Sequence, residues 1–238
     1  MDCFYVAPQN VQEKVLTING DEHKHLSRVL RKKVADIILA VDGIGNTYEV
    51  EIATITHLAA QCRILRSFFR LYEPDVTVTL AQAILKNPAK FDFLVEKTTE
   101  LGVCQIIPMM TERVVAKSAK VERWQHIALA AMKQSCRSVL PKIFPLSKFD
   151  DVLSCSKEFE LKLIPHEQTE STQFISSVIE QDERAKSILL LIGPEGGFTD
   201  DEVKKAILHG FIPVSLGKRR LRAETAGIVA TAFAIGNK

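Results

Sequence analysis

The most constraining feature of this chain is the run Ser187–Ile192, an almost wholly apolar hexapeptide that empties into Gly193-Pro194-Glu195-Gly196-Gly197. An uninterrupted apolar strand, without polar alternation, is what a parallel sheet covered on both faces requires. From Val76 onward the sequence keeps that grammar. Strand-like runs at Val76–Ala83, Gln105–Met110, Glu160–Ile164, Ser187–Ile192 and Ile212–Ser215 alternate with helical ones at Pro88–Gly102, Val121–Val139, Ser171–Gln181, Thr199–His209 and Ala223–Ile235. Pro88 opens its helix where a missing N–H costs nothing, Gly102 closes it, and Thr199 with Glu202 has capping-box spacing. The fold class expected is α/β, a mostly parallel sheet flanked by helices.

Before Glu73 the pattern is different. Short half-buried strands are predicted at Lys14–Ile18, Asp36–Val41, Thr47–Ile55 and Ala60–Leu65, with turn chemistry at Asp42-Gly43. One helix interrupts them from Asp21 to Arg31, with Leu26, Val29 and Leu30 as its apolar face. Glu73-Pro74-Asp75 is the best linker candidate, so the division predicted is a small β-barrel-like domain over 1–72 and an alternating domain over 73–238.

The formal charge, 31 basic against 29 acidic residues, is only +2, so any nucleic-acid binding has to rest on local clusters. The 5 cysteines form no C-x-x-C pair and have no histidine at ligand spacing. A reduced, cytoplasmic protein without a metal site is expected. No signal peptide is legible at the N-terminus, and apolar runs stay far below the ~20 residues that span a bilayer, so no membrane association is expected.

Two loops stand out chemically. In Gly193–Gly197 the absent side chains let backbone approach a ligand, and the helix near Thr199 turns its positive end toward it. Neither G-x-x-x-x-G-K-[ST] nor G-x-G-x-x-G is present, which argues against a nucleotide hydrolase. A glycine turn alone is often only a tight connection, but a second strand, Gly loop and helix start follows at Val214–Ala226. There Lys218, Arg219, Arg220 and Arg222 are not interrupted by any acid, and Glu224 and Thr225 fall in the first helical turn. Ligands of parallel sheets bind beyond the carboxyl ends of strands, where both loops lie. His166 and Glu167 follow a third strand. Lys24, Arg28 and Arg31 share a predicted helix face, and Arg113 follows another strand. Such runs are commonly solvated surface; here they are candidate RNA contacts together with Lys218, Arg219 and Arg220. Trp124, Phe91 and Phe93 read as core, so no stacking platform is legible.

Gly193-Pro-Glu-Gly-Gly197, Leu216-Gly217 and Leu221-Arg222-x-Glu224-Thr225-Ala226 resemble the C-terminal signature of the SPOUT methyltransferases, in particular the bacterial 16S rRNA (uracil-N3)-methyltransferases. The likeness extends to His25–Arg31 and to Phe93–Glu112 with Glu100-Leu-Gly-Val103. It implies a PUA-like N-terminal domain that binds RNA, a C-terminal domain tied in a trefoil knot, a homodimer, and S-adenosyl-L-methionine as cofactor. The implied substrate is N3 of a uridine, conventionally number 1498, in 16S rRNA on the small ribosomal subunit. Carried over, Gly193, Pro194, Glu195, Gly196, Leu216, Gly217, Leu221, Arg222, Glu224 and Thr225 would form the cofactor site, with His166 and Glu167 on its remaining loop. Arg222 and Arg137 are the candidates for stabilising the uracil anion. Lys133, Cys136 and Val114 depart from the family pattern. The other readings are a non-catalytic RNA-binding or assembly protein and a SPOUT enzyme with a different rRNA or tRNA target.

Overall fold

The computed structural model describes residues 2–115, 118–166, 173–182 and 184–236. They form two compact units, one of residues 1–73 with 129–140, the other of 74–128 with 141–238.

The first unit is a five-stranded sheet of β1 (Cys3–Tyr5), β2 (Val15–Asn19), β3 (Ile37–Val41), β4 (Asn46–Ile55) and β5 (Ala59–Phe69), in the order β1-β3-β4-β5-β2. All neighbours are antiparallel except β1 and β3. Side chains two apart on each strand supply the core: Leu16 and Ile18, Ile38 and Ala40, Val50 and Ile52, Ala60 and Cys62, closed by Phe4, Val6 and Leu26. This is the period of two that half-buried strands require. The turn after β3 is organised by buried Asp42, whose carboxylate accepts from the backbone of Ile44 and Asn46 and from the Asn46 amide and Tyr48 hydroxyl.

The second unit is built on an eight-stranded sheet in which every pairing is parallel. Its strands are β6 (Thr77–Ala83), β7 (Gln105–Met110), β8 (Lys142–Ile143), β9 (Ser147–Lys148), β10 (Leu161–Pro165), β11 (Gln173–Phe174), β12 (Ser187–Ile192) and β13 (Ile212–Ser215). The order is β11-β13-β10-β12-β6-β7-β8, with β9 also on β7. The helices, after α1 (Gly20–Lys24) of the first unit, are α2 (Pro88–Leu101), α3 (Val121–Gln134, whose residues from 129 on belong to the first unit), α4 (Phe149–Cys155), α5 (Ile175–Gln181), α6 (Asp200–Leu208) and α7 (Ala223–Gly236).

β12 lies in the middle of this sheet, which is why Ile188–Ile192 are all buried. On one face Ala81, Ala83, Leu189, Leu191 and Ile164 meet Phe149, Val152 and Leu153 of α4 and Val203 and Ala206 of α6. On the other, α7 packs on α2 so closely that a Cβ at Gly227 would fall 2.6 Å from Leu94 Cδ1 and 2.7 Å from Gln82 Oε1. Each large aliphatic side chain buried this way contributes about 1.5–3 kcal/mol. The helix ends follow their sequence signals. Asn87 Oδ1 accepts from Ala89 N at 3.0 Å ahead of Pro88, Gly102 caps α2 at φ 118°, and Thr199 with Glu202 forms a reciprocal capping box.

Four expectations are corrected. The Asp21–Arg31 helix is one α-helical turn, α1, followed by a π-type turn over His25–Val29 in which Leu30 N donates to His25 O. The wider turn shifts the helical register, so Leu26 is buried while Val29 and Leu30 stand 65% and 36% exposed. α3 stops at Gln134 rather than Val139, because Cys136 takes φ 54° and the next residues are captured by a side chain remote in sequence, Glu73. The Ser171–Gln181 helix begins at Ile175 and is preceded by β11; Ser171 and Thr172 lie outside the described residues. Trp124 and Phe91 stack in the interior at 4.1 Å, but Phe93 is 48% exposed. The helix α4, with Asp150 and Asp151 in its first turn, is an addition to the elements read from sequence.

Candidate active site

Three loops leave the carboxyl ends of neighbouring strands β10, β12 and β13, and together they enclose a cleft of about 1110 Å³. That is slightly above the roughly 300–1,000 Å³ of small-ligand sites. The β10 loop brings Pro165 and His166, the β12 loop Gly193 to Phe198, and the β13 loop Leu216 to Arg222. His166 is fixed by its backbone, which donates to Val214 O at 3.0 Å.

The β12 loop is fastened from outside. Gln82 Nε2 donates to Gly193 O at 3.4 Å, Lys86 N donates to Glu195 Oε1 at 3.1 Å, and Arg113 Nη1 donates to Gly196 O at 2.7 Å and Phe198 O at 3.2 Å. Its glycines therefore serve different ends. A Cβ at Gly193 would press on Gly197 and Phe198 backbone at 3.2 Å, and one at Gly196 would meet Arg113 Cδ at 3.4 Å. At Gly197, where φ is 68°, nothing lies within 4 Å. Only there does the missing side chain open onto free space; Gly193 makes room for the loop's own backbone, and Gly196 faces the Arg113 side chain at ordinary contact distance. In the β13 loop Gly217 needs its φ of 117°, a conformation costly for any residue with a Cβ.

The cleft's charge is one-sided. Lys90, Arg113, Lys218, Arg219, Arg220 and Arg222 line it, against the carboxylates of Glu195 and Asp200. Lys218, Arg219, Arg220 and Arg222 are exposed, so their charge is available to a ligand. Apolar surface from Ile192, Pro194, Val214, Leu216 and Leu221 completes the walls. Such a site suits a ligand with a flat apolar part and a polyanionic neighbour.

The structure sorts the candidate residues as follows. Gly193, Pro194, Glu195, Gly196, Leu216, Gly217, Leu221, Arg222 and His166 line the cleft. Glu224 and Thr225 do not: Glu224 is 7% exposed and its Oε1 holds Lys90 Nζ at 3.1 Å, while Thr225 is half-buried along α7. Glu167 lies outside the described residues. Arg113, Lys218, Arg219 and Arg220 border the cleft, but Arg113 turns Nη1 onto the loop. Lys24, Arg28 and Arg31 are exposed on the first unit, with Lys24 paired to Asp21 at 2.7 Å. Their shared helix face is lost, because the π-type turn and the φ of 52° at Arg31 break the spacing.

Arg137 is displaced from the role expected of it. It is 3% exposed, and its Nε and Nη2 donate to Glu73 Oε2 at 3.2 and 2.7 Å. The guanidinium is buried against a carboxylate and does not line the cleft, and breaking such a pair from one side leaves an uncompensated charge. Lys133 and Cys136 also belong to the first unit: Lys133 Nζ pairs with Glu22, whose other oxygen accepts from Tyr5 N at 3.1 Å, and Cys136 lies beside Cys3. Burial, with Cys136 and Glu22 adding to it, drives the Cys3 thiol well above its ordinary range. Lys90 is a charged cleft residue outside the motifs. Its signal was a lysine in the first turn of a helix, where the dipole disfavours a cation.

Among known proteins, residues 72–235 match the model of an RNA methyltransferase domain and residues 18–65 that of an RNA methyltransferase PUA domain. The ribosomal RNA small subunit methyltransferase E of Synechocystis is 36% identical over 95% of this chain and 75% of its own length. That of Bacillus subtilis is 28% identical over 93% and 90%. The ribosomal RNA small subunit methyltransferase E of Neisseria gonorrhoeae, solved bound to S-adenosyl methionine, superposes with a TM-score of 0.86 at 31% identity, covering 98% of this chain and 95% of that one. A probable rRNA-methyltransferase from Porphyromonas gingivalis gives 0.85 at 29%, covering 99% of each. A parallel sheet with glycine loops at its carboxyl ends, preceded by a small β-sheet unit, is thus an arrangement shared along nearly the whole chain, and the chain belongs to the RNA methyltransferase family that includes the ribosomal RNA small subunit methyltransferases E.

Proposed function

We propose that this enzyme methylates N3 of a uridine in 16S rRNA, the position conventionally numbered 1498, using S-adenosyl-L-methionine on the assembled small ribosomal subunit. The observation that carries the reading is the cleft itself, in which backbone-rich glycine loops and apolar walls adjoin four exposed cations. The residues fit the cofactor. The loops 193–197 and 216–222, with Pro165 and His166, provide volume, apolar surface and a loop position, Gly197, that leaves open space. When bound, the cofactor supplies an electrophilic methyl group on a sulfonium.

The chain's residues have two remaining tasks. Uridine N3 carries a weakly acidic proton, and the anion left by its loss spreads onto the neighbouring carbonyl oxygens. Arg222, on the cleft wall, is placed to stabilise that charge, as preorganised cations do for any developing oxyanion. Lys218, Arg219 and Arg220 hold the RNA backbone, and Lys24, Arg28 and Arg31 of the PUA-like first unit add phosphate contacts. The resemblance further implies a trefoil knot in the second unit and a homodimer. The half-buried apolar residues of α7, among them Ile228, Val229 and Phe233, suit a partner surface. No helix among the described residues is long and apolar enough to cross a membrane.

Calorimetry with S-adenosylmethionine and S-adenosylhomocysteine tests the cofactor site. Heat with both is expected, and none with either would leave an RNA-binding protein without catalysis. Arg222→Ala tests the anion role: single-turnover methylation at saturating cofactor should slow by about 10²-fold, and an unchanged rate removes Arg222 from that role.

A further inference from the structure

We infer that Arg113 is a positioning residue for the glycine loop that carries the cofactor site, and not a contact for RNA; this rests on the reading of the cleft as that site. The guanidinium lies at the cleft, where a cation would ordinarily be assigned to phosphate. Its Nη1 instead donates to two carbonyls of the β12 loop, Gly196 O at 2.7 Å and Phe198 O at 3.2 Å. The stem of the side chain lies against the same loop. A Cβ built on Gly196 would come within 3.4 Å of Arg113 Cδ and 3.5 Å of its Cβ, and no other atom is that near. The Cα of Gly196 therefore faces the Arg113 stem at ordinary contact distance.

The neighbours of Arg113 make the same attachment. Glu112 N donates to Glu202 Oε1 at 2.9 Å, and Thr199 Oγ1 donates to Glu112 Oε2 at 3.3 Å, so the turn after β7 is clipped to the start of α6. Glu202 is 6% exposed, and its second oxygen accepts from Thr199 N at 2.9 Å. The loop 193–199 is thus held between the carboxyl end of β12 and the turn after β7. Arg113 is the strut at its middle, next to Gly197, whose φ of 68° and open surroundings mark the stretch nearest a ligand. A loop held in one conformation binds with less ordering cost than a free one. Removing the strut should appear as lost cofactor affinity, with the chemistry intact once the site is filled.

The test compares Arg113→Met and Arg113→Lys with the unmodified chain in three measurements: calorimetry with S-adenosylhomocysteine, binding to 16S rRNA across salt concentrations, and methyl transfer at varied cofactor. Arg113→Met should weaken S-adenosylhomocysteine about tenfold or more, the worth of a charge-assisted hydrogen bond. It should raise the KM for cofactor by a similar factor while kcat stays within about twofold, since the interaction is not special to the transition state. Affinity for 16S rRNA and its salt slope should not change, because no phosphate contact is lost. Arg113→Lys, which keeps a donor for the loop carbonyls, should recover part of the affinity. Full cofactor affinity in Arg113→Met together with a shallower salt slope for RNA would overturn the assignment. So would a kcat loss that saturating cofactor does not restore. Should Arg113→Met fail to fold, the Lys variant alone decides, by which affinity it changes. If the unmodified chain binds no S-adenosylhomocysteine, the reading of the cleft fails instead, a result separate from any effect of Arg113.

Discussion

Substitution of Glu73 should be among the most damaging single changes to the first unit. Its side chain is fully buried, that of Arg137 is 4% exposed, and the two meet at 2.7 Å. One carboxylate oxygen takes both Arg137 contacts, while the other accepts from Ser138 N at 2.7 Å, Val139 N at 2.9 Å and Ser138 Oγ at 3.3 Å. Glu73→Ala removes the counter-charge of a buried guanidinium and the acceptor of two backbone amides together. Breaking a buried pair from one side costs about 3–5 kcal/mol. In a unit of this size each kcal/mol moves the melting point by about 4–8 °C. Glu73→Gln keeps an acceptor for the two amides and should cost less. Arg137→Met also leaves one buried charge unpaired, but Glu73 retains its backbone donors, so it should cost less than Glu73→Ala, and the double variant Glu73→Gln/Arg137→Met should be more stable than additivity of the singles predicts. Urea unfolding followed by circular dichroism measures all four, with methyl transfer expressed per folded molecule. The reasoning is refuted if Glu73→Ala costs under about 1 kcal/mol, or if Arg137→Met folds normally and loses methyl transfer. The second result would return Arg137 to the chemistry.

Three further outcomes follow from the packing and the charges. Burial first, and then the Asp42 carboxylate that its hydroxyl meets at 3.3 Å, push the Tyr48 phenol up to about 12. The folded state therefore keeps a proton that the unfolded chain releases near ~10. The stabilisation is complete below that pH and is lost as pH climbs through about 12. Absorbance titration should show one late tyrosine, absent in Tyr48→Phe; no late phase in the unmodified chain contradicts the assignment. Gly227→Ala forces a Cβ to 2.6 Å from Leu94 Cδ1 and should destabilise the second unit by about 1–3 kcal/mol, visible as a lowered melting point. Cys155 is the one exposed thiol, while burial drives Cys62 up to about 11, so a disulfide reagent at pH ~8 should label Cys155 first and Cys155→Ser should lose the fast phase.

What could be read in the sequence was local. The strands Gln105–Met110, Ser187–Ile192 and Ile212–Ser215 have the bounds their apolar runs predicted, and the Thr199–Glu202 box and the Gly102 cap act as their chemistry dictates. The cleft was legible for the same reason: two glycine loops after apolar strands announce it, and the parallel sheet brings their strands, with β10 between them, side by side. What escaped depends on partners far apart in the chain. α3 ends early because the Glu73 carboxylate captures the amides of Ser138 and Val139, sixty-odd residues on in the chain. Arg137 resembled a site residue because an arginine placed near predicted ligand loops looks alike in sequence whether it meets RNA or a buried glutamate. Arg113 was assigned by its charge, whereas its partners are backbone carbonyls, which carry no signature in sequence. The π-type turn at His25–Val29 likewise shifted by part of a turn a helix whose position was otherwise evident.

The central claim is methyl transfer to one RNA position, and it is tested most directly by incubating the enzyme with tritiated S-adenosylmethionine and unmethylated small ribosomal subunits. The labelled RNA is then digested to nucleosides and the modified position mapped. Incorporation is expected into 3-methyluridine at the single position conventionally numbered 1498, greater with subunits than with free 16S rRNA and suppressed by Arg222→Ala. Label in neither substrate, or in a different nucleoside, would contradict it.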